Sequence, residues 1–193
     1  MIHAYTLNGL ELKTGDILCM AFDSQEAVNP GDYWRVLALL IPGEVDHVAI
    51  YLGPQGKCVE ACARGVYTFD LEDNYWAPEK MFKHRGRFKD HLVGAAYPLQ
   101  ALDLSPAEEI RVRDGVAAYC LAQAEAGKPY NINFLDPDRE DAFYCGQLAY
   151  KAYLPYGINL NTGLGVPDLP GTNRVIFPQE IWSGCHHIRV VEQ

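Results

Sequence analysis

Two strand-like runs joined by a short turn constrain the fold of this chain more than any other feature of its sequence. Residues 45–52 (VDHVAIYL) and 57–62 (KCVEAC) are rich in apolar and β-branched side chains, and the segment GPQG (53–56) joins them. Runs of this composition on either side of a glycine-containing turn are typical of a β-hairpin. The sequence therefore predicts an antiparallel sheet built around this hairpin.

The register of the hairpin decides which side chains share a face of the sheet. If the two glycines of the turn pair with each other, Ala49 lies opposite Glu60, and His47 becomes a diagonal neighbour of Glu60 on the same face. Diagonal neighbours lie about 7–8 Å apart at Cα, within reach of an imidazole and a carboxylate. A loop one residue longer or shorter would move Glu60 to the other face. Asp46, next to His47, is predicted to point to the opposite face.

Two helices are predicted in the second half of the chain. The sequence SPAE, a capping box with proline at the first helical position, begins a helix over 106–126, and Gly127 ends it. A second helix begins at Cys145, because apolar residues follow it at offsets of 3, 4, 7 and 8. Cys145 is therefore expected at a helix N-terminus, on the inward face.

The remaining segments complete the predicted fold. A turn followed by an apolar run over 14–22 predicts a strand, in which Asp16 caps the turn. A short helix is predicted over 33–41, and the basic segment 80–89 (KMFKHRGRFK) is interpreted as a solvated surface segment. Since there is no internal repeat and no linker, we expect a single α+β domain over residues 1–193.

The charge and the N-terminus limit the partners of the protein. A formal net charge of −9 disfavours a nucleic-acid partner and suits neutral or cationic substrates. The first residues lack the basic start and apolar core of a signal peptide, and no run reaches the roughly 18 apolar residues of a membrane-spanning helix. We expect a cytoplasmic protein without integral membrane contact. Export by a dedicated secretion system and the oligomeric state are left open.

The cysteines and histidines give little support for a metal site. The six cysteines are scattered, and in the absence of a signal peptide we expect reduced thiols, most of them in the core. Cys58 and Cys62 would lie about 13 Å apart in one strand, too far for a single tetrahedral ion. The adjacent His186 and His187 would point in opposite directions if extended. Neither a metal nor another cofactor is predicted.

A cysteine at a helix N-terminus and a histidine on a strand can form a catalytic pair. Unpaired backbone N–H groups and the helix dipole favour a thiolate over a thiol, and an imidazole held by a third polar residue can stabilise that thiolate and later protonate a leaving group. Cys145, His47 and Glu60 are the candidates. Composition and spacing alone also fit a simpler interpretation, in which Cys145 and His47 are core residues.

Five segments in order resemble the circularly permuted branch of the papain-like NlpC superfamily, in particular the YiiX/YaeF-like proteins. They are TGDIL, DHVAIYLG, CVEACARGV, KPYNINF and FYCGQLAYKAY, and they extend over nearly the whole chain. In that family the histidine strand precedes the cysteine helix, which reverses the order in papain. The resemblance implies an α+β fold in which an antiparallel sheet or barrel packs against helices, with the nucleophile at a helix N-terminus.

Carried over residue by residue, the resemblance assigns roles to the candidate residues. It implies that Cys145 is the nucleophile, that His47 is the general base and acid, and that Glu60 orients the imidazole. Tyr130 matches a tyrosine of the family whose hydroxyl would lie near the oxyanion or the substrate amine. The Cys145 backbone N–H is a natural oxyanion donor.

Two positions after the cysteine depart from the family pattern. Gly146 stands where relatives often carry serine, and it is expected to adjust the backbone near the oxyanion. Gln147 stands where an acidic residue is frequent, and it is expected to influence substrate preference. Neither change predicts an inactive enzyme.

The activity that the resemblance implies is hydrolysis of an amide or peptide bond through an acyl-thioester on Cys145. Small peptides or other amide-containing molecules, including cell-wall-type peptides from peptidoglycan, are the expected substrates. One alternative is a lipid acyltransferase or phospholipase resembling lecithin:retinol acyltransferase, which uses the same histidine-then-cysteine order. Another is a non-catalytic ligand-binding module of the same fold. The sequence leaves the scissile bond and the acyl acceptor open.

Overall fold

A computed structural model describes residues 1–22, 42–85 and 89–191, which contain eight strands and four α-helices. The strands are β1 (Ala4–Leu7), β2 (Leu10–Lys13), β3 (Ile17–Phe22), β4 (His47–Tyr51), β5 (Lys57–Cys62), β6 (Gly65–Asp70), β7 (Asp90–Tyr97) and β8 (His186–Arg189). The helices are α1 (Pro78–Arg85), α2 (Pro106–Glu125), α3 (Cys145–Tyr153) and α4 (Pro178–Gly184). The helix predicted over 33–41 lies outside the described residues.

The strands form one large sheet and one small hairpin. The sheet has the order β6-β5-β4-β3-β7-β8, and every neighbouring pair in it is antiparallel. Strands β1 and β2 pair only with each other within the described residues. The fold is therefore α+β, with an antiparallel sheet packed against helices, as the sequence predicts.

Both faces of the sheet are buried. In β3, Ile17 and Cys19 belong to one apolar cluster, whereas Leu18 and Met20 belong to the other. Helices α2, α3 and α4 cover the first face, and the β1–β2 hairpin and α1 cover the second. A strand that is buried on both faces has apolar side chains at successive positions. This explains why apolar and polar residues do not alternate in β3 (ILCMAF).

The β4–β5 hairpin has the predicted register. Ile50 pairs with Val59 and Tyr51 pairs with Cys58. The turn between the strands contains Gln55 at φ +58°. Extending this register along the strands places His47 and Glu60 on one face, so the prediction is confirmed.

Helices α2 and α3 begin where the sequence places them. The Ser105 hydroxyl accepts a hydrogen bond from the Glu108 backbone N–H (3.3 Å), and the Glu108 carboxylate accepts one from the Ser105 backbone N–H (2.9 Å), which completes the predicted capping box. Helix α3 starts at Cys145 and packs against α2, β4 and β5. Its first turn therefore lies beside the strand that carries His47.

The turn before β3 ties the sheet to the helices. Asp16 accepts a hydrogen bond from the Lys13 backbone N–H (2.7 Å) and another from the Arg113 guanidinium of α2 (2.9 Å). The Gly15 carbonyl accepts the hydroxyl proton of Tyr153, at the end of α3 (2.6 Å). The predicted turn-capping role of Asp16 is confirmed.

The basic segment 80–89 is not a uniformly solvated surface. Its N-terminal part forms most of α1, in which Met81 and Arg85 are buried. Arg85 is 1% exposed and lies between the carboxylates of Glu60 and Asp90. The surface prediction was therefore wrong for Arg85, because paired carboxylates allow a cation to be buried.

Among the residues that the structure describes, no helix is long and apolar enough to cross a bilayer. The longest, α2, has 20 residues, and its first half carries most of its charged side chains.

Candidate active site

A cavity of about 470 Å³ opens beside the first residue of β4. Cys145, His47 and Tyr130 all line it, together with a second cysteine, Cys62. Glu60 lies behind His47 and is 1% exposed. The structure thus brings together four of the five predicted site residues, from two strands, a helix and a loop.

His47 lies between Glu60 and Cys145. Its Nε2 is 2.7 Å from a carboxylate oxygen of Glu60, and the ring lies near enough to the Cys145 side chain for the two to interact electrostatically. Because Nε2 faces Glu60, the other ring nitrogen, Nδ1, is left for Cys145. The His47 side chain is 13% exposed, so the imidazole is shielded but open to the cavity.

The environment of His47 favours its charged form. Burial lowers the pKa of His47, but its interactions with Cys145 and Glu60 raise it by more, so the pKa lies well above its usual value. An imidazolium beside a cysteine side chain is the partner that stabilises a thiolate.

Glu60 is held as a carboxylate by three side chains. Arg85 donates from Nε (2.9 Å) and Nη2 (2.6 Å) to the two oxygens of Glu60, Tyr67 donates its hydroxyl, and His47 binds from the other side. Burial alone would raise the pKa of Glu60, but Arg85 and His47 lower it well below its usual range. An ionised Glu60 fixes the proton of His47 on Nε2 and so defines the orientation of the ring.

Arg85 links the site to the interior of the sheet. Its Nη1 donates to Asp90 (2.6 Å), and its guanidinium lies 5.2 Å from the ring centroids of both Phe69 and Trp76. Sequence reasoning missed this residue. The available signal was its spacing of four from the apolar Met81 in α1, which puts both side chains on one helix face.

Cys62 provides a contrast with Cys145 within the same cavity. Its Sγ lies 3.4 Å from the Tyr67 hydroxyl. Burial and the nearby Glu60 carboxylate raise the pKa of Cys62, which favours the neutral thiol. Two cysteines therefore line one cavity, and Cys145 is the one that contributes most to raising the pKa of His47.

Tyr130 and Asp46 also line the cavity. Burial and the proximity of Cys145 raise the pKa of Tyr130, so its phenol stays protonated beside the cysteine. Asp46 accepts a hydrogen bond from the Phe22 backbone N–H (2.9 Å), and burial raises its pKa to about 6. Asp46 immediately precedes β4, and it lines the same cavity as His47.

Gly146 and Gln147 lie behind Cys145 and do not line the cavity. A Cβ atom on Gly146 would lie 2.1 Å from the Ile176 carbonyl oxygen, so glycine allows α3 to approach that backbone closely. Gln147 is fully buried, accepts a hydrogen bond from Asn131 (2.9 Å) and donates one to the Arg139 carbonyl (2.8 Å). In this position Gln147 holds the loop that precedes α3.

No protein-family model, curated protein or solved structure matches this chain. All six cysteines are free thiols. Within residues 1–22, 42–85 and 89–191, no group of three or more histidine, cysteine or acidic side chains is arranged to hold a metal ion.

The arrangement contains the groups that covalent acyl transfer requires. A cysteine lies at the N-terminus of a nine-residue helix, a histidine contacts it, and a buried carboxylate fixes the histidine. A cavity beside the cysteine gives a substrate carbonyl access to it. These groups can supply a nucleophile, a proton carrier and an orienting partner.

Proposed function

We propose that this protein is a thiol hydrolase of the circularly permuted papain-like, NlpC type, which cleaves an amide bond through an acyl-thioester on Cys145. The observation that carries the proposal is the position of His47, which is hydrogen-bonded to buried Glu60 and lines the same cavity as Cys145, close enough to interact with it. The order of the histidine strand before the cysteine helix supports the permuted fold.

The site residues divide the reaction between them. His47 takes the Cys145 thiol proton, and the thiolate attacks the carbonyl carbon of the amide. The backbone N–H of Cys145 and the Tyr130 hydroxyl stabilise the oxyanion. The carbon–nitrogen bond breaks as the imidazolium of His47 protonates the departing amine. His47 then removes a proton from water, which attacks the thioester and releases a carboxylic acid and the Cys145 thiol.

Glu60 and Arg85 act in this mechanism as positioning residues. The charged Glu60 holds the imidazole in one orientation and stabilises its protonated form. Arg85 in turn keeps Glu60 ionised and immobile through two hydrogen bonds. This chain of contacts supports a catalytic over a purely structural role, because it leads to a cysteine that lines a cavity together with His47.

Iodoacetamide labelling tests the nucleophile, with Cys62 as an internal reference in the same cavity. Cys145 and Cys62 are 7% and 5% exposed, so their access to the reagent is similar. At pH 6 we expect mass mapping to find Cys145 alkylated at least tenfold faster than Cys62, because thiolates and not thiols react. His47→Ala is expected to remove most of this difference. Equal rates in the wild-type protein would refute the proposal.

A lipid acyltransferase or phospholipase is the second candidate function, because the described residues on one side of the cavity are mainly apolar. Incubation with peptidoglycan fragments, unrelated peptides and phospholipid vesicles separates the candidates. Cys145→Ala serves as the control for each substrate. Release of amines from peptides supports the amidase, whereas fatty acid or acylated product from vesicles alone supports the lipid enzyme.

A further inference from the structure

The end of β5 borders the place where the leaving group of the proposed reaction must lie. That group is in contact with His47, because the imidazole protonates it. The register of the β4–β5 hairpin, extended from the pair of Ile50 and Val59, places Cys62 opposite His47. Cys62 and the next residue, Ala63, both line the cavity. The departing amine is therefore bordered by the end of β5 and the turn that follows it.

Arg64 lies in that turn, between β5 and β6, and directly follows the residues that line the cavity. Its side chain is exposed, and its guanidinium lies 4.7 Å from the ring centroid of Tyr67. The Tyr67 hydroxyl is 3.4 Å from the Cys62 sulfur and donates a hydrogen bond to Glu60. A guanidinium stacked on a ring keeps its N–H donors available for a planar anion. Arg64 is thus held beside the cavity wall with its donors free.

The absence of a carboxylate partner distinguishes Arg64 from most arginines that the structure describes. Those that form ion pairs with carboxylates are Arg85, Arg113, Arg139, Arg174 and Arg189. Within residues 1–22, 42–85 and 89–191, Arg64 and Arg111 have no such partner, and only Arg64 adjoins the cavity. A chain with a net charge of −9 has many carboxylates to offer. An arginine left unpaired beside a cavity therefore indicates an anionic ligand.

The charges that line the cavity leave one side of β4 open to an anion. Asp46 lies on the β3 side, where it accepts a hydrogen bond from the last backbone N–H of that strand. Glu60 and Asp90 already bind the guanidinium of Arg85. Arg64 lies on the opposite side of β4, beyond β5. A negative group on the leaving part of a substrate therefore meets a cation only on the β5 side.

The spacing fits an amino acid as the leaving group. Two residues of chain span at most about 7 Å, so the Cα atoms of Cys62 and Arg64 are no further apart than that. In an α-amino acid a single carbon atom separates the nitrogen from the carboxylate, so a nitrogen at His47 puts the carboxylate within reach of a long side chain. We propose that the leaving group is an amino acid with a free carboxylate and that Arg64 binds this carboxylate. The substrates would be peptides cleaved at their last residue or N-acyl amino acids. This inference rests on the proposed thiol hydrolase function.

The bond changes are those of amide hydrolysis. The Cys145 sulfur bonds to the acyl carbon, the carbon–nitrogen bond breaks, and the proton of His47 passes to the nitrogen of the departing amino acid. Water then cleaves the thioester, which gives a carboxylic acid and the free thiol. Arg64 contacts only the carboxylate, so it determines specificity and takes no part in bond breaking.

A matched pair of substrates tests the role of the carboxylate. N-acetyl-alanyl-alanine and N-acetyl-alanyl-alaninamide share their acyl group and differ only in the charge at the end of the leaving group. We expect kcat/KM to be at least about tenfold higher for the free acid, as a charge-assisted hydrogen bond to a guanidinium predicts. Equal rates for the two compounds, or faster cleavage of the amide, would overturn the carboxylate proposal and leave the hydrolase proposal standing.

Two arginine variants locate the binding site. Arg64→Gln is expected to remove most of the preference for the acid over the amide. Arg111 provides the matched control, because it is also exposed and also stacks on a tyrosine, 5.3 Å from the ring centroid of Tyr156, but lies on α2 outside the cavity. Arg111→Gln should leave the preference unchanged. A preference that survives in Arg64→Gln, or that both variants reduce equally, contradicts the assignment to Arg64.

Binding measured without turnover separates this proposal from the hydrolase proposal. Calorimetric titration of Cys145→Ala with the same two compounds should detect at least about tenfold tighter binding of the acid, and adding Arg64→Gln should remove the difference. An acid preference that depends on Arg64, with no acylation of Cys145 in the wild type by mass spectrometry, would support the carboxylate site and overturn the hydrolase. Equal binding of the two compounds, or no detectable binding of either, would overturn the carboxylate site.

Discussion

The guanidinium of Arg85 donates to both oxygens of Glu60 and to Asp90. A lysine ammonium keeps the charge but cannot reproduce this fork of donors. We expect Arg85→Lys to lower the free energy of unfolding by roughly 2–3 kcal/mol, because a buried carboxylate loses a hydrogen bond. Looser positioning of His47 should also slow iodoacetamide labelling of Cys145 at pH 6 about tenfold.

A surface arginine with the same geometry provides the control for this prediction. Arg139 donates from Nε and Nη2 to the two oxygens of Asp141, at 2.7 and 2.6 Å, but this pair is exposed. Arg139→Lys is expected to change the free energy of unfolding by less than about 1 kcal/mol and to leave labelling of Cys145 unaltered. If Arg85→Lys behaves like this control, Arg85 does not position the site.

At the level of helices and strands, local sequence patterns predicted the features that depend on residues close to each other in the chain. The turn between β4 and β5 fixes their register, so the contact of His47 with Glu60 followed from the sequence. The capping box similarly located α2. The pairing of β3 with β7 joins distant segments, and no local pattern in either strand specifies it. Arg85 was missed for the same reason, since its two carboxylate partners belong to different strands.

The start of α3 depends on close packing at Gly146. In Gly146→Ala the new methyl group would overlap the Ile176 carbonyl, and neither backbone segment can rotate away as a side chain would. We expect a loss of roughly 1–3 kcal/mol in the free energy of unfolding. A shift of the first helical turn should also slow alkylation of Cys145 relative to that of Cys62.

Gly184→Ala is the matched substitution at the end of α4. There the new methyl group would meet only the Thr162 methyl group, at 3.0 Å, and a side chain can adjust. Urea unfolding and the ratio of Cys145 to Cys62 labelling should remain close to wild type in this variant. A stable Gly146→Ala protein with an unchanged labelling ratio would mean that the helix start tolerates displacement.

At the scale of the whole molecule, two carboxylates beside the cavity give opposite contributions to stability as pH changes. The pKa of Glu60 is lower in the folded than in the unfolded chain, where it is about 4.3. The contribution of Glu60 to the free energy of unfolding is therefore present above that pH and is lost as pH falls below it. The pKa of Asp46 is raised to about 6. Between about pH 4 and 6 the unfolded chain loses the Asp46 proton first, so folding becomes less favourable as pH rises.

Asp46→Asn removes the pH-dependent contribution of Asp46 to stability and leaves that of Glu60. Relative to wild type, the variant should gain stability as pH rises from 4 to 7, by roughly 2–3 kcal/mol for a pKa displaced by about two units. Urea unfolding at intervals of one pH unit measures this difference. Asp141→Asn is a control of opposite sign, because Arg139 lowers the pKa of Asp141 to about 2. This variant should lose a little stability, relative to wild type, as pH rises. A difference between Asp46→Asn and wild type that does not vary with pH would show that Asp46 is not protonated preferentially in the folded protein.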